Sequence, residues 1–265
     1  STLAAIAVMH RFLFATKENP EFIAWIGEAQ DQAVDNIAWI MNHVYSNPAI
    51  HYYFGDLQGN KWTKNEFTLS NGCRMIGKGT SQRLRGKKQN STRYTGMVLD
   101  DFESELNTKT PEARQQIKNW VTAAVYPAID FDKNGFLWCN GTIVHYDSFL
   151  NNLVRDHQAA KQNGEEFSWD IVTYKAILDD GTSLWPSRWP SKKLKERKQF
   201  YIDSGTPAKF YQEYMNQAKS PEDQIFSEED ITDGLYRGRC KYDEGVDSWY
   251  IEFDDKSKEY VNIYI

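Results

Sequence analysis

The sequence predicts an α/β protein with a mostly parallel sheet flanked by helices, and three observations carry that prediction. Short apolar runs alternate with stretches of helical periodicity over the first 140 residues, the pattern of strands joined by crossover helices. Two of those runs end abruptly in polar residues, at Asp100 and Asn140, as strands of an open sheet do where they present side chains at their carboxyl edge. A chain of 265 residues with 40% hydrophobic and 14% aromatic content can bury one large core or two unequal ones.

Residues 1–14 are apolar and free of Gly and Pro, spaced like a helix buried on most of its surface. Residues 22–26, Phe-Ile-Ala-Trp-Ile, read as a short strand, and residues 29–45 as a helix with Ala33, Ile37, Ile40 and Val44 along one face. The turn Ser70, Asn71, Gly72 separates two β-like stretches, 66–69 and 74–76, and predicts a hairpin. Residues 97–99 form a brief apolar strand ending in two aspartates. A helix opened by Pro111 then runs over 110–128, and 136–139 is another core strand.

After about Gln158 the texture changes. Residues 169–178 have strand character, 185–190 form a rigid connector rich in Trp and Pro, and polar helices follow over 191–203 and 207–219. The tail, 247–265, alternates apolar residues with charges and ends on an apolar run. The expected organisation is a core of residues 1–157, a small subdomain over 158–260, and a new strand opening at 261–265, read as a sign of truncation.

Composition narrows the function. No run of about 18 apolar residues and no basic-then-apolar leader is present, so neither membrane insertion nor secretion is indicated. Cys73, Cys139 and Cys240 are far apart and odd in number, which argues against a disulfide framework or a zinc site. A net charge of -6 is unlike a protein that grips DNA through one broad basic face, so any DNA contact is expected to be local or transient.

Four segments carry candidate chemistry. In residues 96–103, Gly-Met-Val-Leu-Asp-Asp-Phe-Glu, an apolar strand delivers adjacent carboxylates to its end. A nucleoside triphosphatase needs one carboxylate to hold Mg²⁺ and a neighbour to position the attacking water. Asp100 suits the first role and Asp101 the second, with Glu103 a rival for the second if the strand continues; the plain alternative is an acidic turn. Ser1 and Thr2 lead directly into an apolar helix, as the end of a GK[ST] phosphate loop does, which would make the Ser1 hydroxyl a Mg²⁺ ligand; the alternative is a helix cap. In the polar loop at 80–86, Arg83 and Arg85 are placed to steady phosphoryl charge or to sit in solvent. In residues 140–148, Thr142 follows a strand end where it can bond a γ-phosphate or the attacking water, while His145 and Asp147 would fix the turn and cap the next helix. The basic run Lys192, Lys193, Lys195, Arg197, Lys198 reads as a solvated helix face or a DNA contact.

Taken in order, these segments resemble the terminase large subunits of tailed phages over essentially the whole chain. Those proteins run from GK[ST] and its helix, past a stretch like Phe54, Gly55, Asp56 with Trp62, to an NG-containing hairpin. A G-x-G-x-x-x-R-G loop, an apolar-DD-x-E strand and a GT-x-x-H-x-D segment follow. Here they stand as residues 77–86, 98–103 and 141–147, with later likenesses at 184–186 and 210–216. The resemblance implies a P-loop NTPase-type core with a small lid-like subdomain, using ATP and Mg²⁺ to drive double-stranded phage DNA into a procapsid. It makes Asp100 the Walker B aspartate, Asp101 the catalytic carboxylate with Glu103 in reserve, and Thr142 the coupling residue. Arg85, or Arg83, becomes the arginine lent to a neighbour's ATP site. The implied setting is the cytoplasm of the infected bacterial host, and the implied partners are DNA, a portal protein, a small terminase subunit and further copies in a ring. The family's Gly-Lys and its nuclease are not in this sequence, so the fragment's own ATPase activity is expected to be impaired. A helicase-like ATPase is the rival enzyme. A non-catalytic nucleic-acid-binding module is the rival of another class, disfavoured because Trp25, Trp39 and Trp138 sit in stretches expected to be core.

Overall fold

The computed structural model describes residues 1–84, 93–218, 238–243, 248–253 and 257–261. Contacts divide the chain into two compact units, Ser1–Ser220 and Pro221–Ile265.

The first unit is built on a six-stranded sheet. Its strands are β1 (Phe22–Gly27), β2 (Gln58–Thr63), β3 (Glu66–Leu69), β4 (Arg74–Gly79), β5 (Gly96–Asp100) and β6 (Phe136–Asn140), in the order β2-β3-β4-β1-β5-β6. β4, β1, β5 and β6 pair in parallel, and only the β2-β3 and β3-β4 pairs are antiparallel. β1 lies between two parallel neighbours and is buried on both faces, which is why it reads as an unbroken apolar run rather than an alternating one.

Its alternate residues serve two cores. On one face Ile23 and Trp25 pack with Ala5, Val8 and Phe12 of α1 (Thr2–Phe14) and with Ile37 and Ile40 of α2 (Gln30–Ser46). On the other, Ala24 and Ile26 pack with Met97, Leu99, Ile117 of α4 (Pro111–Trp120) and Phe149 of α5 (Phe149–Asn163). The short helix α3 (Pro48–Phe54) precedes β2. The expected hairpin is present, and Asn71 at its turn donates from Nδ2 to the carbonyls of Phe12 and Ala15, at 2.8 and 3.2 Å. It thereby satisfies carbonyls that the C-terminal end of α1 leaves open.

Several expectations are corrected. Residues 169–178 form no strand: Val172 and Tyr174 are exposed, and the segment is held to α7 (Pro207–Met215) by the Ala176 amide donating to the Tyr214 carbonyl at 2.7 Å. Apolar alternation without a neighbouring strand to pair with does not make a strand. The helix expected to run to 128 is α-helical only to Trp120, then passes through a π turn (Val121–Val125) and a 3₁₀ turn (Tyr126–Ala128) that contains Pro127, which has no N–H to donate. α6 (Ser191–Asp203) matches expectation, whereas α7 stops at Met215 because Asn216 turns left-handed, with φ 50°. β6 is not a core strand but the sheet edge. Trp138 on it is 37% exposed and Trp39 40% exposed, while Trp25 is fully buried. The texture change near Gln158 falls inside α5.

The second unit holds an antiparallel meander, β7 (Gly238–Asp243), β8 (Ser248–Phe253) and β9 (Lys258–Val261). Residues 262–265, expected to continue a strand, lie outside the described residues. No helix among the described residues is long and apolar enough to cross a membrane.

Candidate functional site

β5 and β6 run side by side in parallel with Asp100 opposite Asn140, so two strand ends deliver their polar residues to the same carboxyl edge. Gly96 allows this close pairing, since a Cβ there would meet the Phe136 ring at 2.1 Å. Asp100 is buried and collects donors from three elements: Ser1 Oγ at 3.0 Å, Asn36 Nδ2 of α2 at 3.2 Å, and Asn140 Nδ2. Ser1 stands at the N-cap position of α1, yet its hydroxyl caps no amide there and is spent on Asp100 instead. The helix-cap reading of Ser1 is thereby corrected. Thr2 opens the helix and is exposed.

Asp101 leaves the strand. Its amide donates to the Asn140 carbonyl at 3.0 Å, and its φ of 47° is left-handed, a region aspartate enters more readily than most residues with a Cβ. The turn sets its carboxylate beside Gly141, where a Cβ would come within 3.4 Å of Asp101 Oδ1. Partial loss of hydration, and after it the charge of Asp100, lift the Asp101 carboxyl above its usual range. Besides the α-amino group at Ser1, 3.7 Å from Asp100 Oδ1, no cationic group pairs with either aspartate among the described residues. Asn140 Oδ1, beside them, is buried and accepts no hydrogen bond.

Glu103 is placed differently from the alternation expected of a continuing strand, because β5 ends at Asp100 and the left-handed turn follows. Its carboxylate is buried and accepts the amides of Phe149 and Leu150 at 2.7 and 2.9 Å. Those are orphan donors at the start of α5, and a carboxylate there also meets the positive end of the helix dipole. Burial raises its carboxyl despite these bonds.

Thr142 follows Gly141 on the same edge, half-buried. The next amide, Ile143, donates to Asn216 Oδ1 at 3.3 Å. His145 Nδ1 accepts from the Asp147 amide, and Asp147 accepts from Asn152 Nδ2 at 3.1 Å and from Arg114 Nε at 2.9 Å. These residues fix the turn, but neither caps the next helix: Ser148 does, its Oγ accepting from the Asn151 amide at 3.3 Å. The Asn152 and Arg114 bonds hold the Asp147 carboxyl below its usual range.

The edge therefore gathers Ser1, Asp100, Asp101, Asn140 and Thr142, while Glu103 is drawn to α5. Arg83 is exposed and lines a separate cleft of about 1120 Å³ with Arg74 and Arg93. Arg85 lies outside the described residues. Asn36 was not foreseen: it is a polar position on a helix whose apolar face was legible, and nothing in the sequence links it to a residue 64 positions away. The chain matches no protein-family model, and no curated protein sequence matches it.

Proposed function

We propose that the chain is the ATPase portion of a terminase large subunit, coupling ATP hydrolysis to the packaging of double-stranded DNA into a phage procapsid. The observation that carries this reading is the Ser1 hydroxyl bonded to the strand-end carboxylate of Asp100, with Asp101 and Thr142 on the same edge of a mostly parallel sheet. In this reading the first unit is a P-loop NTPase-type core, and the helices after residue 158 belong to a lid-like subdomain.

The residues present suit Mg²⁺. Ser1 Oγ, the Asp100 carboxylate and the donorless Asn140 Oδ1 are hard oxygens. No cluster of three His, Cys, Asp or Glu side chains occurs among the described residues, so the ion would keep most ligands from water and phosphate, as Mg²⁺ does. Ser1 and Asp100 would hold it, and Thr2 would lie beside the phosphates. Bound there, Mg²⁺ would offset negative charge on the phosphate oxygens. Asp101, with its raised carboxyl and no cation of its own, would orient the attacking water and take its proton. Thr142, one residue before the amide tied to Asn216, would register the presence of the γ-phosphate. Arg85 would serve a neighbouring subunit in a ring, with Arg83 the alternative.

The test uses a chain extended so that Gly-Lys precedes Ser1. Mg²⁺-dependent ATP hydrolysis stimulated by duplex DNA is expected, without strand separation. Unwinding of a tailed duplex would assign the helicase reading, and DNA binding without any nucleotide use would assign the non-catalytic one. Mixing Arg85→Ala with Asp101→Asn subunits should partly restore hydrolysis by pairing an intact arginine with an intact carboxylate. No recovery in rings shown to be mixed would remove Arg85 as a residue supplied in trans.

A further inference from the structure

The chain carries -6 overall, but its charge is unevenly spread. Between Trp185 and Lys198 lie Arg188, Lys192, Lys193, Lys195, Arg197 and Lys198 against the single acid Glu196. That gives the segment +5 and leaves -11 for all the rest. Among the described residues none of the six cations is in an ion pair. Glu196, one helical turn beyond Lys192 and so spaced for a pair, makes none either. Unneutralised cations of this density repel one another, a cost that a polyanion removes.

Four of the cations also lie over aromatic rings, three of them against Trp185 and Trp189. Lys193 Nζ lies 4.4 Å and Arg197 Cζ 5.9 Å from the centroid of Trp189, one helical turn apart on the same flank of α6. Arg188 Cζ is 6.0 Å from the centroid of Trp185, which is 58% exposed. Packing on rings restricts side-chain freedom before any partner arrives.

α6 is also joined to the candidate site. Lys198 Nζ sits 5.2 Å from the ring centroid of Tyr211 on α7. α7 in turn reaches both site loops: Lys209 pairs with Glu105, two residues beyond Glu103, and Asn216 Oδ1 accepts from Ile143 N.

We infer that the flank of α6 bearing Lys193 and Arg197, with Arg188 beside it, binds the phosphodiester backbone of duplex DNA. The inference rests on the proposed packaging role, which requires a DNA contact that a chain of -6 cannot supply through a broad basic face. The contact is with phosphates and takes no account of base sequence.

The experiment measures binding of the nucleotide-free full chain to a short DNA duplex by fluorescence anisotropy, over about 50 to 200 mM salt. The double variant Lys193→Gln with Arg197→Gln should bind roughly tenfold or more weakly, and its slope of log K against log salt should shrink by about 2, near 0.9 per lost phosphate contact. The exchange Lys193→Arg with Arg197→Lys should keep both affinity and slope. Lys118→Gln with Lys161→Gln, which removes the same charge from exposed positions on α4 and α5, should change neither. The inference is overturned if the α6 variant binds as wild type, if the control pair loses as much, or if polyglutamate displaces DNA from this flank at lower charge concentration. Because no nucleotide is present, binding that survives the α6 variant removes this surface alone, whereas a wild-type chain that binds no duplex removes the packaging role with it.

Discussion

The two ends of the sheet treat buried charge in opposite ways. At the hairpin end, Glu66 is almost fully buried, and Lys61 and Arg74 each reach it at 2.6 Å. Burial alone would raise its carboxyl, but the two cations more than offset this and hold it below the usual range. At the β5-β6 end, Asp100 and Asp101 stand together with amide and hydroxyl donors but no lysine or arginine, and the Asp101 carboxyl is raised. Glu66 is neutralised by its two cations and Glu103 is held by two amides at the start of α5, so both buried carboxylates have partners that the fold itself uses. Carboxylates left short of cations at a strand edge are what a cation or a proton-transfer step would use.

That contrast orders the expected effects of substitution. The largest should come from Asp100→Ala in the chain extended with Gly-Lys. Mg²⁺-dependent nucleotide use should fall by about 10² or more, with the fold retained by circular dichroism, because no cation of the scaffold depends on Asp100.

Glu103 belongs with the architectural carboxylates. Glu103→Gln sets an NH₂ group against one of the Phe149 and Leu150 amides, so stability should drop by about 1–3 kcal/mol, read as a lower Tm. Asp101→Asn should leave the Tm near wild type.

Arg114 is buried against Asp147 and the Thr108 carbonyl. Asp147→Ala strands part of that guanidinium and should cost roughly 1–2 kcal/mol. The sign of its pH dependence follows from a folded carboxyl held below its unfolded value. The stabilisation is fully present above an unfolded pKa of about 3.9, is lost as pH falls through the lower folded value, and should be missing from the acid limb of Asp147→Asn.

The smallest effect should be at the hairpin. Lys61 is half exposed, and Lys61→Ala, with Arg74 still paired to Glu66, should change stability by under about 1 kcal/mol, as measured by urea denaturation.

Much of the sheet was legible because it rests on local signals. The Asn71-Gly72 turn, the fully apolar β1 and the strand ending at Asp100 each announce themselves within a few residues. Residues 169–178 misled because exposed Val172 and Tyr174 imitate strand alternation, and β6 misled because an apolar run does not reveal which strand ends the sheet. In the site, the carboxylate pair and the segment at Thr142 were legible as types at spacings. The division of labour between Asp101 and Glu103 was not, since it depends on a left-handed turn at Asp101 and on the distant start of α5 taking Glu103 as its cap.

The proposed nucleotide turnover at the β5-β6 edge runs through Asp101 and not through Glu103. Its most direct test is steady-state Mg²⁺-ATP hydrolysis by the extended chain, comparing Asp101→Asn with Glu103→Gln below the Tm of both. Asp101→Asn is expected to lower kcat by about 10²–10⁴ with KM little changed, while Glu103→Gln keeps kcat within a few-fold. A Glu103→Gln chain that is folded but inert, beside an Asp101→Asn chain that turns over normally, would contradict this assignment.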